Sequence, residues 1–255
     1  MRKEIWIANL AQRIISAVML NNIWLAFVIT FAAAVLWLRF NDFLAHKGII
    51  SGPLSRKIIH MGTGPIFVLC WMLFPENPYS RFLASVIPLA ITIQFALVGL
   101  GIIKDQAAVA AMTRTGNRME ILRGPLFYGI VFVILTVVYW RNSLIGMTAL
   151  MLLCGGDGLA DIVGKRIRSN AIPWAKKKSV AGTIAMFLGG WLMAIGVASV
   201  YASAGFFSGT LMDYLPGLTI ISVAGMLVES LPFSDIDNIT VPGIAVLLGH
   251  FLLPF

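Results

Sequence analysis

Eight runs of mostly apolar residues, at about 21–38, 58–74, 82–103, 124–140, 143–156, 180–204, 214–229 and 239–254, divide this chain from end to end. A helix needs roughly 20 such residues to cross a bilayer, and inside hydrocarbon only helices and closed barrels satisfy their own backbone polar groups. Barrel strands would alternate apolar and polar residues over about ten positions, whereas these runs are continuous. The expectation is an all-α polytopic transmembrane helix bundle of seven to eight spans. The fifth and seventh are short, and only Arg141 and Asn142 separate the fourth from the fifth. Composition closes the alternatives: 59% of the 255 residues are hydrophobic, 12% are charged and mean hydropathy is +0.89. A soluble domain carries about 25% charged residues, so a soluble enzyme, a disordered chain and a disulfide scaffold are all excluded.

The length suits one membrane-embedded domain, residues 21–255, preceded by a segment 1–20. That segment mixes Arg2, Lys3 and Arg13 with Ile5, Trp6 and Ile7, which suits an interfacial helix. It lacks the apolar core and cleavage site of a secretory signal, and the chain reads as complete and bacterial. Cys70 and Cys154 both lie inside apolar runs and are read as unpaired thiols.

The net charge of +8 reflects the crowding of basic residues into cytoplasmic loops and needs no nucleic acid to explain it. With eight spans, the loops after the first, third and fifth carry 14 of the 19 Lys and Arg residues. Those loops are therefore expected at the cytoplasmic face of a bacterial inner membrane, with both termini outside. The reactive residues gather on that same side, and no internal repeat is evident.

The segment Cys154-Gly-Gly-Asp-Gly-Leu-Ala-Asp-Ile-Val-Gly-Lys-Arg is the most informative. As a helix it stacks Asp157, Asp161 and Lys165 on one face at i, i+4 and i+8. Gly156, Ala160 and Gly164 form a neighbouring stripe that lets another helix or a ligand approach. Two carboxylates one turn apart repel unless a cation lies between them, and Mg²⁺ typically binds through one or two carboxylates plus phosphate oxygens. Fifteen or so residues on, Lys176-Lys-Lys-Ser-Val-Ala-Gly-Thr opens the next span. Its lysines, Lys177 and Lys178 above all, would neutralise phosphates, and free backbone N–H groups from Ser179 through Gly182 to Thr183 would cradle an anion. The P-loop pattern is absent. Together these are the two halves of a metal–nucleotide site, with no protein partner evident.

Two more segments fit it. Glu229-Ser-Leu-Pro-Phe-Ser-Asp-Ile-Asp-Asn offers Glu229 and Asp237 as further metal ligands and Asn238 as a base or phosphate contact. Arg114-Thr-Gly-Asn-Arg-Met-Glu-Ile-Leu-Arg offers the guanidinium groups of Arg114, Arg118 and Arg123 for bidentate phosphate contacts, with Glu120 beside them. Arg56, Lys57 and His60 are possible additions on the same side. His250 reads as structural.

The Gly-Asp-Gly-Leu-Ala-Asp-Ile-Val-Gly and Lys-Lys-Ser-Val-Ala-Gly-Thr stretches resemble the polyprenol kinases, the phytol and farnesol kinase branch more than dolichol kinase. The segments Arg56–His60, Arg114–Tyr128, 156–183 and Glu229–Pro242 match in the same order, spanning about residues 55–243. Ala181 stands where the family often carries an acid. The resemblance implies phosphorylation of an isoprenoid alcohol (phytol, geranylgeraniol or farnesol) with CTP as donor and Mg²⁺ or another divalent cation. In that reading Asp157 and Asp161 hold the metal, or one of them, Asp161 being the better candidate, accepts the alcohol's proton instead. A cytidylyltransferase resembling CDP-diacylglycerol synthase is the nearest rival. A transporter is less favoured because the acids sit at one face, away from mid-membrane.

Overall fold

The computed structural model describes residues 19–113, 115–233 and 236–253; the expected interfacial segment lies almost wholly outside them. The chain forms α1 (Ile23–His46), α2 (Gly52–Cys70), α3 (Ser80–Leu100), α4 (Gln106–Met112), α5 (Gly124–Val138), α6 (Leu144–Met151), α7 (Asp157–Arg166), α8 (Val180–Ser203), α9 (Leu211–Glu229) and α10 (Asp237–Leu252). Short 3₁₀ turns cover Trp71–Leu73 and Arg118–Leu122, and a π segment, Leu152–Gly156, joins α6 to α7. The sole sheet among the described residues is an antiparallel ribbon of β1 (Ala171–Ile172) and β2 (Ala175–Ser179). The protein is an all-α membrane bundle, as its apolar runs predict.

Six helical stretches among the described residues are long and apolar enough to cross a membrane: Ile23–His46, Ser80–Leu100, Arg118–Val138, Leu144–Arg166, Val180–Ser203 and Leu211–Glu229. The other two expected spans are present as helices of different character. The first turns of α2 carry Arg56, Lys57 and His60, which lower its hydropathy, and α10 has 16 residues. The count of seven to eight is therefore approximate.

The stretch Leu144–Arg166 forms the centre of the bundle. Its apolar window is 72% buried, against 11% for α1, whose Trp24, Phe31, Leu36 and Phe40 face outward as lipid-facing side chains do. Helix α8 crosses this centre through glycines. A methyl group at Gly189 would collide with the Gly155 carbonyl, and one at Gly190 would press on Leu152 at 3.1 Å. Small residues at such crossings let backbones approach closely. Cys70 and Cys154 are free thiols, as expected.

The two ends of the bundle differ. Asp157, Asp161, Lys57 and the ribbon lie at one end. At the other, buried Arg141 donates to the carbonyls of Trp71 (3.4 Å) and Phe74, and Tyr139 Oη meets His250 Nε2 at 2.8 Å.

Candidate active site

The π segment ends where the chemistry begins. Single π turns recur inside α-helices at functional sites, and here Asp157 is the first residue after one. Asp157 and Asp161 stand one turn apart on α7, as the i, i+4 spacing predicts. Lys165 closes the row, its Nζ 2.7 Å from Asp161 Oδ1 and 2.9 Å from Oδ2.

The cation between the two carboxylates is Lys57. Its Nζ lies 3.4 Å from Asp157 Oδ2 and 3.6 Å from Asp161 Oδ2. One turn along α2, His60 Nε2 lies 3.4 Å from Asp157 Oδ2 and 3.3 Å from the Leu153 carbonyl. The His60 ring packs on Tyr128, with centroids 4.4 Å apart, and Tyr128 Oη reaches the His60 carbonyl (3.3 Å) and Cys154 Sγ (3.2 Å). Close packing sets this register: a methyl at Gly158 would collide with Met61, the residue after His60.

The stripe of small residues on α7 meets α8. A side chain at Gly182 would stand 3.1 Å from the Ala160 carbonyl and 3.3 Å from Gly164, while one at Gly156 would press on Met186. Gly156 and Gly182 thus act at helix crossings. The expected open row of N–H groups at the start of α8 is closed from within. Val180 N donates to the Asn170 carbonyl (3.0 Å), Ala181 N to Ser169 Oγ (3.0 Å) and Gly182 N to Ser179 Oγ (3.2 Å). The loop before the ribbon and the Ser179 cap satisfy these donors. The Thr183 hydroxyl just beyond is buried without a partner.

The lysines that the sequence presents as one group differ in their surroundings. They lie where the ribbon register shifts, between the Ile172–Ala175 and Ala171–Ser179 pairs; Lys176 and Lys177 are exposed and Lys178 is half-buried. Lys178 Nζ is bound to Glu229, 2.8 Å from Oε1 and also against its backbone carbonyl. Trp174, at the ribbon turn, donates to the Ser230 carbonyl at 3.1 Å. The end of α9 is thereby tied to the ribbon, and Glu229 lies within electrostatic reach of both Asp157 and Asp237.

The remaining predicted residues make contacts on neighbouring elements. Arg56 donates to the Thr113 carbonyl at 3.1 Å. Asn238, beside Asp237 at the start of α10, donates to the Gly124 carbonyl at 3.1 Å and so joins α10 to α5. Glu120 accepts from Thr115. Arg118 lies over Gly101, and both Arg118 and Arg123 are exposed. Arg114 lies outside the described residues.

Among the described residues no three His, Cys, Asp or Glu side chains converge into a ready-made metal cluster. Asp157 and Asp161 nevertheless turn one oxygen each toward a single cation. Hard carboxylate oxygens in a pair suit Mg²⁺ that completes its shell with phosphate and water. The lysine between them marks a position that favours positive charge.

Three participants escape sequence reasoning. Tyr128 is only the last residue of the Arg114–Tyr128 block, Trp174 is given no role by its sequence, and the π segment leaves no trace in hydrophobic periodicity.

Comparison with known proteins gives the family. The chain is 39% identical over 230 residues to "Probable phytol kinase 3, chloroplastic" of Glycine max, covering 89% of this chain and 72% of that protein. It is 37% identical over 232 residues to "Farnesol kinase, chloroplastic" of Arabidopsis thaliana, covering 89% and 74%. "Phytol kinase 1, chloroplastic" of Arabidopsis thaliana is 37% identical over 211 residues, covering 82% and 69%. No family model matches the chain, and no solved structure matches it significantly. At this identity over most of both chains, the protein belongs to the phytol and farnesol kinase family, membrane-embedded kinases with an alcohol acceptor.

Proposed function

We propose that this protein transfers the γ-phosphate of CTP to the hydroxyl of an isoprenoid alcohol (phytol, geranylgeraniol or farnesol) with Mg²⁺ or another divalent cation. The observation that carries the reading is the pair Asp157 and Asp161, sharing one cation position at the polar end of the most buried helix. The relatives' names support an isoprenoid alcohol as acceptor; the donor CTP rests on the family resemblance of the motifs.

Phosphoryl transfer asks a protein mainly for positioning and charge neutralisation. Asp157 and Asp161 would hold the metal, with Glu229 or Asp237 as further ligands, and a bound Mg²⁺ would offset charge on the phosphoryl oxygens. Lys57 and Lys165 stand beside the pair, and Lys177 is exposed on the ribbon; these ammonium groups would hold the triphosphate. The Arg118 and Arg123 guanidinium groups would reach it from the rim. The alcohol oxygen attacks the γ-phosphorus, the bond from that phosphorus to the bridging oxygen breaks, and CDP leaves. The alcohol's proton passes to a carboxylate, for which Asp161 is our candidate in place of its role as a metal ligand. The prenyl chain stays among the spans.

In this proposal the site faces the cytoplasm, on the strength of the 14 of 19 Lys and Arg residues in the loops at this end. The relatives named above are plant proteins and lend no support to a bacterial inner membrane. The test is a phosphorylation assay in membranes, offering each of four γ-labelled nucleoside triphosphates with a panel of prenols. Labelled prenyl monophosphate with CDP as by-product is expected. Pyrophosphate with a cytidylated lipid would instead identify a cytidylyltransferase, and flux without nucleotide consumption a transporter.

A further inference from the structure

We propose that Lys57 is a resident counter-ion that keeps the carboxylate pair closed to a divalent cation until a triphosphate arrives with it. The inference rests on reading the pair as a metal–triphosphate site. Lys57 Nζ lies against Oδ2 of both Asp157 and Asp161, the two oxygens a bridging metal would also need. The Lys57 side chain is 15% exposed, and one turn further along α2 Met61 packs on Gly158 of α7. His60 adds a second α2 group on Asp157, while Lys165, 65% exposed, engages Asp161 from the solvent side.

A metal ion arriving alone must expel the Lys57 ammonium and leave it in a half-buried place without an anion, which is unfavourable. A metal ion arriving on a triphosphate brings new anionic oxygens, and the flexible four-carbon stem lets Lys57 transfer to them. The same exchange that suppresses binding of bare metal therefore couples metal to nucleotide, and such coupling acts equally in both directions. Nothing in the sequence marks this role, because Lys57 and Asp157 are 100 positions apart.

The test is Mn²⁺ binding to the full-length protein in detergent, followed by electron paramagnetic resonance, with and without a non-hydrolysable CTP analogue. Wild-type protein should bind Mn²⁺ weakly alone and tightly with the analogue. Lys57→Met should tighten binding of Mn²⁺ alone by about tenfold to a hundredfold, the scale expected for removing a neighbouring like charge, and shrink the effect of the analogue. Lys57→Gln, which retains hydrogen bonds without charge, should act in the same direction if the Met variant does not fold. Lys57→Arg should stay close to wild type. Unchanged or weaker Mn²⁺ binding in the neutral variants would overturn the counter-ion role. Asp157→Asn and Asp161→Asn keep the two ideas apart: analogue-dependent Mn²⁺ binding that survives them overturns the metal site itself.

Discussion

At the polar end of the bundle α2 supplies the cation Lys57, while at the other end Arg141 packs on the residues just after α2, and the two are treated in opposite ways. Arg141, 2% exposed, meets the carbonyls of Trp71 and Phe74 and the ring of Phe206, 5.4 Å from its guanidinium carbon. Around it Trp71 stacks on Trp140 at 5.1 Å, and Tyr201 donates to the Val68 carbonyl at 2.6 Å. Carbonyl dipoles and aromatic faces close round this cation, the Glu76 carboxylate acts on it electrostatically, and burial pulls its pKa down. Lys57 meets two carboxylates that remain partly open, 31% and 23% exposed. A cation buried chiefly among carbonyl dipoles and aromatic rings holds a fold together. A partly open cluster of opposed full charges is poised to exchange partners, and exchange of partners is what binding a charged substrate requires.

The comparison can be broken by substitutions at either end. The largest effect is expected at the polar end. Asp161→Asn preserves shape but removes a carboxylate, and should lower turnover on the order of 10³-fold, the range for losing one preorganised electrostatic group; initial-rate measurements with saturating prenol check this. Next comes Arg141→Met, which leaves two buried carbonyls without their donor and should destabilise the protein by about 2–4 kcal/mol. Its melting temperature in detergent should fall while KM for nucleotide stays unchanged. Smaller still, Gly158→Ala should wedge α2 from α7 through Met61. Overpacking of this kind costs about 1–3 kcal/mol, and here its signature should be reduced kcat with near-normal prenol KM.

Much of this arrangement is legible in the sequence, because hydrophobic run length and helical spacing are local properties. The eight apolar runs correspond to helical stretches, and the i, i+4 relation of Asp157 and Asp161 survives unchanged on α7. The stripe of Gly156, Ala160 and Gly164 does meet another helix. Long-range partners are not local. Lys57 reaches Asp157 only because α2 docks on α7, and Lys178 pairs with Glu229 because a ribbon forms in what the sequence presents as a loop. The start of α8 is the clearest correction. Its donors look open in sequence, yet Ser169, Asn170 and Ser179 satisfy those of Val180 to Gly182.

The contrast between the two ends comes down to Asp157. Turnover and melting temperature of Asp157→Asn, measured side by side on one detergent preparation, test it most directly. The account predicts that prenyl phosphate formation disappears while the melting temperature stays within a few degrees of wild type. Turnover that persists in this variant would contradict it.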